Sequence, residues 1–125
     1  MTDPRRIAAL ARLAALRKEA EVAAFAMAKR QARTIGTRIG ALDEALAEAR
    51  QGAALSTDPA TAAAQDAFGR WSDAQRLRLT ERLLEAEALA EARRDAARLA
   101  FGRAEVLQRL TRKAEADRRL RRAKS

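Results

Sequence analysis

The sequence predicts an all-α fold in which two long helices form an antiparallel coiled-coil hairpin. Of its 125 residues, 48% are hydrophobic but only 3% are aromatic, and this alanine-rich composition is typical of long helices and not of a thick globular core. The tripeptide Thr-Asp-Pro occurs twice, at residues 2–4 and 57–59, and the chain contains no other proline. Each tripeptide is followed by a long run with heptad-like spacing of apolar residues, so the chain is predicted to contain two helices.

Helix one is predicted to run from about Pro4 to Gln51. Asp3 is expected at the N-cap and proline at the first helical position, where its missing N–H costs no hydrogen bond. Gly52 is expected to cap the C-terminus. The predicted a/d seam alternates steps of three and four and consists of Phe25, Ala28, Ala32, Ile35, Ile39, Leu42, Leu46 and Ala49.

Helix two is predicted to run from Pro59 to about Arg122, after a tip at residues 52–58. Such a short connection excludes a parallel arrangement of two long helices, so the helices must be antiparallel. The spacing of its seam is less regular, which predicts stutters. The seam candidates are Phe68, Trp71, Leu79, Leu83, Ala86, Leu89, Ala96, Leu99, Val106, Leu110 and Leu120.

The second helix is predicted to be longer and to end in a C-terminal overhang. If residue 50 lies beside residue 62, Ile7 lies beside residue 105, and the residues beyond Leu107 are expected to have little or no intramolecular partner. A seam rich in alanine is also thin, so apolar atoms are expected at its outer edges, where a partner or a second copy can cover them. With about the length of an average domain, the chain is predicted to be a single domain, residues 1–125.

The residue types argue against an enzyme. The chain contains neither histidine nor cysteine, which removes the commonest general base and metal ligands, and no cofactor or metal site is predicted. No run of 18 or more apolar residues occurs, so no membrane span is predicted. The absence of cysteine fits a reducing compartment, and a soluble, cytoplasmic protein is expected.

The net charge of +9 is concentrated at the C-terminal end of helix two. Two acidic residues, Glu115 and Asp117, oppose a larger group of basic ones. This end can bind an acidic partner or nucleic acid, or it can be a solvated helix end whose cations suit the helix dipole. The basic residues are Arg109, Arg112, Lys113, Arg118, Arg119, Arg121, Arg122 and Lys124.

Phe68 and Trp71 lie one helical turn apart near the predicted tip. Both can cover the end of the seam. Tryptophan is also a favoured residue at binding hot spots, and a two-helix tip can bury it only partly. A partner contact near the tip is therefore the second interpretation of this pair.

The layout resembles the flagellar FliJ family and its YscO-type relatives in type III secretion, which are small antiparallel coiled coils. The resemblance covers nearly the whole chain. It depends on total length, on two helices of unequal length, on a tip near the middle, and on the basic segment of helix two at residues 104–113, AEVLQRLTRK.

The resemblance implies a stalk of a flagellar or type III protein export apparatus, which links a hexameric export ATPase to the export gate by mechanical coupling. Export chaperones are further implied partners, with a cytoplasmic location or one peripheral to the inner membrane, and a role in flagellum biogenesis and motility. By position along the hairpin, the ATPase-facing end comprises Arg5, Arg6, Leu110, Arg112, Arg118 and Arg119. The gate-facing tip comprises Leu42, Leu46, Phe68 and Trp71.

Two other functions remain open at this point. The basic balance of the chain favours a coiled coil that binds nucleic acid. The thin seam favours a structural coiled coil that dimerises. Neither alternative requires catalysis or a cofactor.

Overall fold

The computed structural model describes residues 3–125 and contains two α-helices, α1 (Pro4–Ala54) and α2 (Pro59–Lys124). The helices pack against each other as a hairpin, and α2 is longer, with 66 residues against 51. The predicted fold class is therefore confirmed. Neither helix in the described part of the chain is long and apolar enough to cross a membrane.

Both helices start as the repeated tripeptide predicts. The Asp3 carboxylate accepts a hydrogen bond from the Arg5 amide at 3.0 Å. The Asp58 carboxylate accepts one from the Ala60 amide, also at 3.0 Å. These are N-cap hydrogen bonds to the second helical residue, with proline at the first position.

The predicted C-cap of helix one at Gly52 is wrong. The helix continues through this glycine to Ala54, and no described glycine has a positive φ. Alanine is the strongest helix former, and the two alanines after Gly52 extend α1 until hydrogen bonds of the i to i+3 type close its last turn. The tip is correspondingly shorter than predicted and comprises residues 55–58.

The chain divides into two compact units. The terminal unit comprises the described residues up to Met27 together with Glu91–Ser125, and the tip unit comprises Ala28–Ala90. Each unit contains one segment of α1 and one of α2. That the whole chain forms a single domain stays a prediction.

In the tip unit, the predicted seam of α1 is confirmed. Every member from Ala28 to Ala49 is buried or half-buried, at the predicted spacing of three and four. On α2, Phe68 is half-buried, as are Leu79, Leu83 and Ala86, but Trp71 is 53% exposed. Ser72 takes the buried position next to it, so the seam prediction is wrong for the tryptophan by one residue. It is also wrong for Leu89, which is 44% exposed while Ala90 is half-buried.

In the terminal unit, the seam of α2 consists of small residues. The predicted members Leu99, Val106, Leu110 and Leu120 are all exposed. Buried positions lie two residues before Leu99 and Val106, so the heptad phase of α2 differs from the predicted one. The buried seam residues are Ala97, Ala100 and Ala104, with Leu107, Thr111 and Ala114 continuing the same spacing at partial burial.

The register of the two helices differs from the expected one by about one heptad. Each residue of α1 lies beside a residue of α2 that is about seven positions closer to the C-terminus than expected. The expected register places residue 43 beside residue 69, whereas Asp43 pairs with Arg76 at 2.9 Å. In the terminal unit, Pro4 and Ile7 share a shallow groove with Leu110 and Ala114, so α2 beyond Leu107 does have a partner. The overhang is shorter than expected, and every residue after Ala114 is exposed.

Candidate functional site

The terminal unit exposes an apolar groove between α1 and α2, which we call the leucine groove. Five large exposed side chains contribute to it, each between 52% and 62% exposed, together with the half-buried Leu107. The groove has a volume of about 1050 Å³. Its exposed large side chains are Leu10, Leu13, Leu16, Leu99 and Val106.

The heptad of α1 explains why these leucines lie outside the seam. Continued backwards from Phe25, the steps of three and four reach Glu21, Lys18, Ala14, Ala11 and Ile7, which are all buried or half-buried. The leucines at 10, 13 and 16 fall between these positions. On α2, the same logic applies to Leu99 and Val106, because alanines hold the inner positions.

Gly102 lines the middle of the groove between Leu99 and Val106. A Cβ built on this glycine meets no other atom within 4 Å. The glycine is therefore not required for the packing of the two helices. Its missing side chain leaves a notch in the wall of the leucine groove.

The charged residues that line the leucine groove are all basic. They are Arg17, Arg98 and Arg103. Arg17 also donates a hydrogen bond to Glu21 at 3.2 Å, so one of the three cations is partly compensated. Glu21 lines a smaller neighbouring cleft and not this groove.

The predicted ATPase-facing residues lie in the terminal unit, and all of them are exposed. Leu110 and Arg118 line one shallow groove together with Pro4 and Ile7, next to Arg5 and Arg6 in the chain. Arg112 lines a different groove with Ala11. Arg119 lines neither of them.

The predicted gate-facing residues lie in the tip unit. Leu42 and Leu46 are half-buried members of the α1 seam. Phe68 stacks on Trp71, with ring centroids 5.8 Å apart and an angle of 29° between the planes. Trp71 therefore contacts Phe68 and remains 53% exposed.

One ion pair of the tip unit, between Asp43 and Arg76, has shifted pKa values. The bidentate hydrogen bond from Arg76 to Asp43, at 2.9 and 3.3 Å, lowers the pKa of Asp43, and the guanidinium charge adds to this against a partial desolvation. The same hydrogen bond raises the pKa of Arg76. Both side chains are about half exposed, so this is a surface ion pair between the helices of the tip unit.

Among the described residues, no three acidic side chains come together in a way that could hold a metal ion. What the terminal unit offers is a surface with two chemical characters, apolar in the groove and cationic around it and at the C-terminal end. Such a surface is suited to binding another macromolecule.

Sequence reasoning missed the leucine groove and Gly102. The signal that could have found them is the strong heptad of Phe25 to Ala49. Extended towards the N-terminus, it places alanines and not leucines in the seam. The assignment of Leu99 and Val106 to the seam followed their hydrophobicity and concealed the groove.

Comparison with protein-family models, with curated proteins and with solved structures found no match to this chain. A proposal for its function therefore starts from the fold, the leucine groove and the basic C-terminal end.

Proposed function

We propose that this chain is a non-enzymatic, protein-binding helical hairpin that serves as a stalk or adaptor of a flagellar or type III protein export apparatus. In this proposal, its terminal unit binds a hexameric export ATPase and its tip unit contacts the export gate. The observation that carries the proposal is the exposed leucine groove next to a basic helix end.

The leucine groove supports a protein partner. Soluble monomers rarely leave several large apolar side chains exposed together unless the surface is used. Burying the exposed half of one leucine contributes about 1 kcal/mol. Five such side chains contribute about 5 kcal/mol, which reaches only the lower end of the roughly 4–15 kcal/mol entropy cost of association, so charged contacts are expected to add to the binding.

The basic end supports an acidic partner surface. The basic side chains from Arg109 to Lys124 are exposed, and within residues 3–125 none of them takes part in an ion pair. Glu115 and Asp117 offset only part of their charge, so this end of α2 keeps an excess of positive charge. Arg5 and Arg6 add to the same terminal unit, as the resemblance to export stalks implies.

The tip unit supports a second contact. Trp71 is 53% exposed and is held by its stacking on Phe68. A rigid, half-exposed tryptophan is typical of binding hot spots. In the proposal, this contact is made with the export gate, and the two long helices transmit motion between the ATPase and the gate. The protein then acts in the cytoplasm, peripheral to the inner membrane, where export chaperones are further partners.

The test is a pull-down of a purified export ATPase at about 0.15 M salt, where exposed electrostatic contacts are substantially screened. The variant carries Arg112→Glu, Arg118→Glu and Arg119→Glu. The matched control carries Arg70→Glu, Arg78→Glu and Arg82→Glu, three exposed positions of α2 in the tip unit. It makes the same change in net charge.

The wild type and the control are expected to capture the ATPase. The terminal variant is expected to capture about tenfold less ATPase than the wild type, or less still. Failure of the wild type to bind the ATPase contradicts the proposal. Equal loss in both variants contradicts it too, because it shows that only net charge matters.

Nucleic acid is the alternative partner, favoured by the same exposed basic side chains. Its signature is a gel shift that weakens steeply as salt rises, because bound cations release counterions from the phosphates. Such a gel shift, together with no capture of the ATPase in the pull-down, is the outcome that favours this alternative. The exposed leucines have no role in it.

A further inference from the structure

We infer that the leucine groove binds an amphipathic helix with acidic flanks from a protein partner, which packs between α1 and α2 as the third helix of a bundle. This inference rests on the proposed protein-binding function of the terminal unit. It does not depend on which assembly the partner belongs to.

The shape of the groove indicates a helix. Its walls are segments of two neighbouring helices, residues 10–17 of α1 and 98–107 of α2. These segments are about 11 to 14 Å long at 1.5 Å per residue. A helix of two to three turns fits this length and presents apolar side chains at i, i+3 or i+4, and i+7 to both walls.

The charge of the groove indicates acidic flanks. Arg17, Arg98 and Arg103 line the apolar surface, and no acidic side chain does so. In coiled coils, residues beside the seam select partners by complementary charge. A helix with leucines on one face and glutamates at its edges matches both features, whereas a helix with lysines at its edges brings like charges together.

A second copy of this chain fits the groove less well. In a two-fold symmetric dimer, the same patch meets itself. The leucine grooves of two copies then bring two sets of these three arginines to one interface without an acidic counterpart from the groove. The charge pattern therefore favours a different protein.

A side chain of the partner helix is expected to enter the leucine groove beside Gly102. Because a Cβ at this position meets nothing within 4 Å, the space beside the glycine is open to a side chain of the partner. It follows that a large residue at position 102 fills the groove without disturbing the two helices.

The experiment uses a synthetic, stapled helical peptide of about 20 residues, long enough to cover the groove. It carries leucines at heptad spacing, glutamates on both flanks and a fluorescent label. A matched peptide carries lysines in place of the glutamates. Binding to the full chain is measured by fluorescence anisotropy for the wild type, for Gly102→Phe and Gly102→Leu, and for Gly40→Phe as control. Gly40 is a helical glycine of the tip unit whose Cβ position is equally open.

The acidic peptide is expected to bind the wild type at least about tenfold more tightly than the lysine peptide. Both Gly102 variants are expected to weaken binding by about tenfold or more, while Gly40→Phe leaves it within about twofold. In methyl spectra of the wild type, the peptide is expected to shift the signals of Leu10, Leu99 and Val106. Far-UV circular dichroism is expected to show the same helix content for all variants.

Equal binding of the two peptides, or binding that is insensitive to both Gly102 variants, overturns the inference. So does sedimentation that shows a wild-type dimer converted to a monomer by Gly102→Phe, because the second copy is then the occupant. Loss of ATPase capture with intact peptide binding contradicts the proposed function alone. Intact ATPase capture without peptide binding contradicts this inference alone.

Discussion

The tip unit and the terminal unit place side chains of different size in their seams. In the tip unit, Ile35, Ile39, Leu42 and Leu46 of α1 face α2 and are half-buried. In the terminal unit, the residues buried on α2 are Ala97, Ala100 and Ala104. Large apolar side chains therefore fill the α1 seam of the tip unit, whereas small ones fill the α2 seam of the terminal unit. Outside the seam, both units expose leucines, and α2 of the tip unit exposes Leu77 and Leu84.

This difference between the two seams explains why large apolar side chains of the terminal unit are exposed. The distance between packed helices depends on the side chains at the contact, so alanines allow a close approach that excludes leucines. Ala104 is accordingly only 2% exposed, whereas Leu13 of the same unit is 62% exposed. The alanine seam holds the helices together and leaves the leucines available to a partner.

The largest effect is expected from a leucine in the alanine seam. Ala104→Leu overpacks a position with no free space and should lower the free energy of unfolding by about 1–3 kcal/mol. Ala32→Leu is the matched control in the seam of the tip unit, where the position is only half-buried and the loss should be smaller than for Ala104→Leu. Urea unfolding followed by circular dichroism measures both, and equal losses would show that the two seams are packed alike.

The second largest effect on the free energy of unfolding is expected from replacing a seam leucine of the tip unit by alanine. Leu42→Ala removes a half-buried seam residue and should cost about 1–2 kcal/mol. Leu13→Ala removes an exposed residue and should change the free energy of unfolding by less than about 0.5 kcal/mol. A larger loss for Leu13→Ala than for Leu42→Ala would contradict the assignment of the groove as a surface.

A smaller gain is expected at Ser72 in the tip unit. Its side chain is 1% exposed, and its hydroxyl has no hydrogen-bond partner among the described residues. Ser72→Ala removes a buried, unpaired polar group and should raise the free energy of unfolding by about 1 kcal/mol. Ser56→Ala is the contrasting change, because the Ser56 hydroxyl accepts a hydrogen bond from the Asp58 amide at 3.2 Å, and it should destabilise. Thermal melting compares the two, and a destabilised Ser72→Ala would show that the hydroxyl is paired.

The smallest effect is expected from the ion pair between Asp43 and Arg76. Because the folded state lowers the pKa of Asp43, the pair stabilises the protein above the unfolded pKa of about 4 and loses this contribution as the pH falls through the folded pKa. Asp43→Asn should therefore lower the melting temperature slightly at pH 7 and have no effect in strong acid. Asp66→Asn, which removes an unpaired carboxylate of the same unit, is the control. A difference between wild type and Asp43→Asn that stays constant with pH would exclude the linkage.

The sequence predicted the hairpin because its signals are local. The two Thr-Asp-Pro tripeptides determine the helix starts through hydrogen bonds within the first turn. The heptad from Ala28 to Ala49 identifies the inner face of α1. The predicted end of α1 is wrong, because the helix continues past Gly52 through the two alanines that follow it.

The α1 leucines of the groove follow from the extended heptad, but the α2 wall could not be predicted in the same way because it depends on the phase of one helix against the other. The choice between Leu99 and Ala100 as the inner residue depends on how closely the helices approach, and hydrophobicity alone favours the leucine. The register, shifted by about one heptad at Asp43 and Arg76, is likewise a property of the pair. Site residues proposed by position, such as Arg112 and Arg118, are exposed as expected, but their roles stay predictions.

The most direct test of the account is a methyl spectrum of the wild type recorded with a soluble paramagnetic probe, which weakens the signals of solvent-exposed methyl groups. We expect strong attenuation for Leu10, Leu13, Leu99 and Val106, and weak attenuation for Ile39, Leu42 and Leu46. That result would establish that the leucine groove is exposed while the α1 seam of the tip unit is packed. Equal attenuation of the two groups, or protection of the groove residues in the monomer, would contradict it.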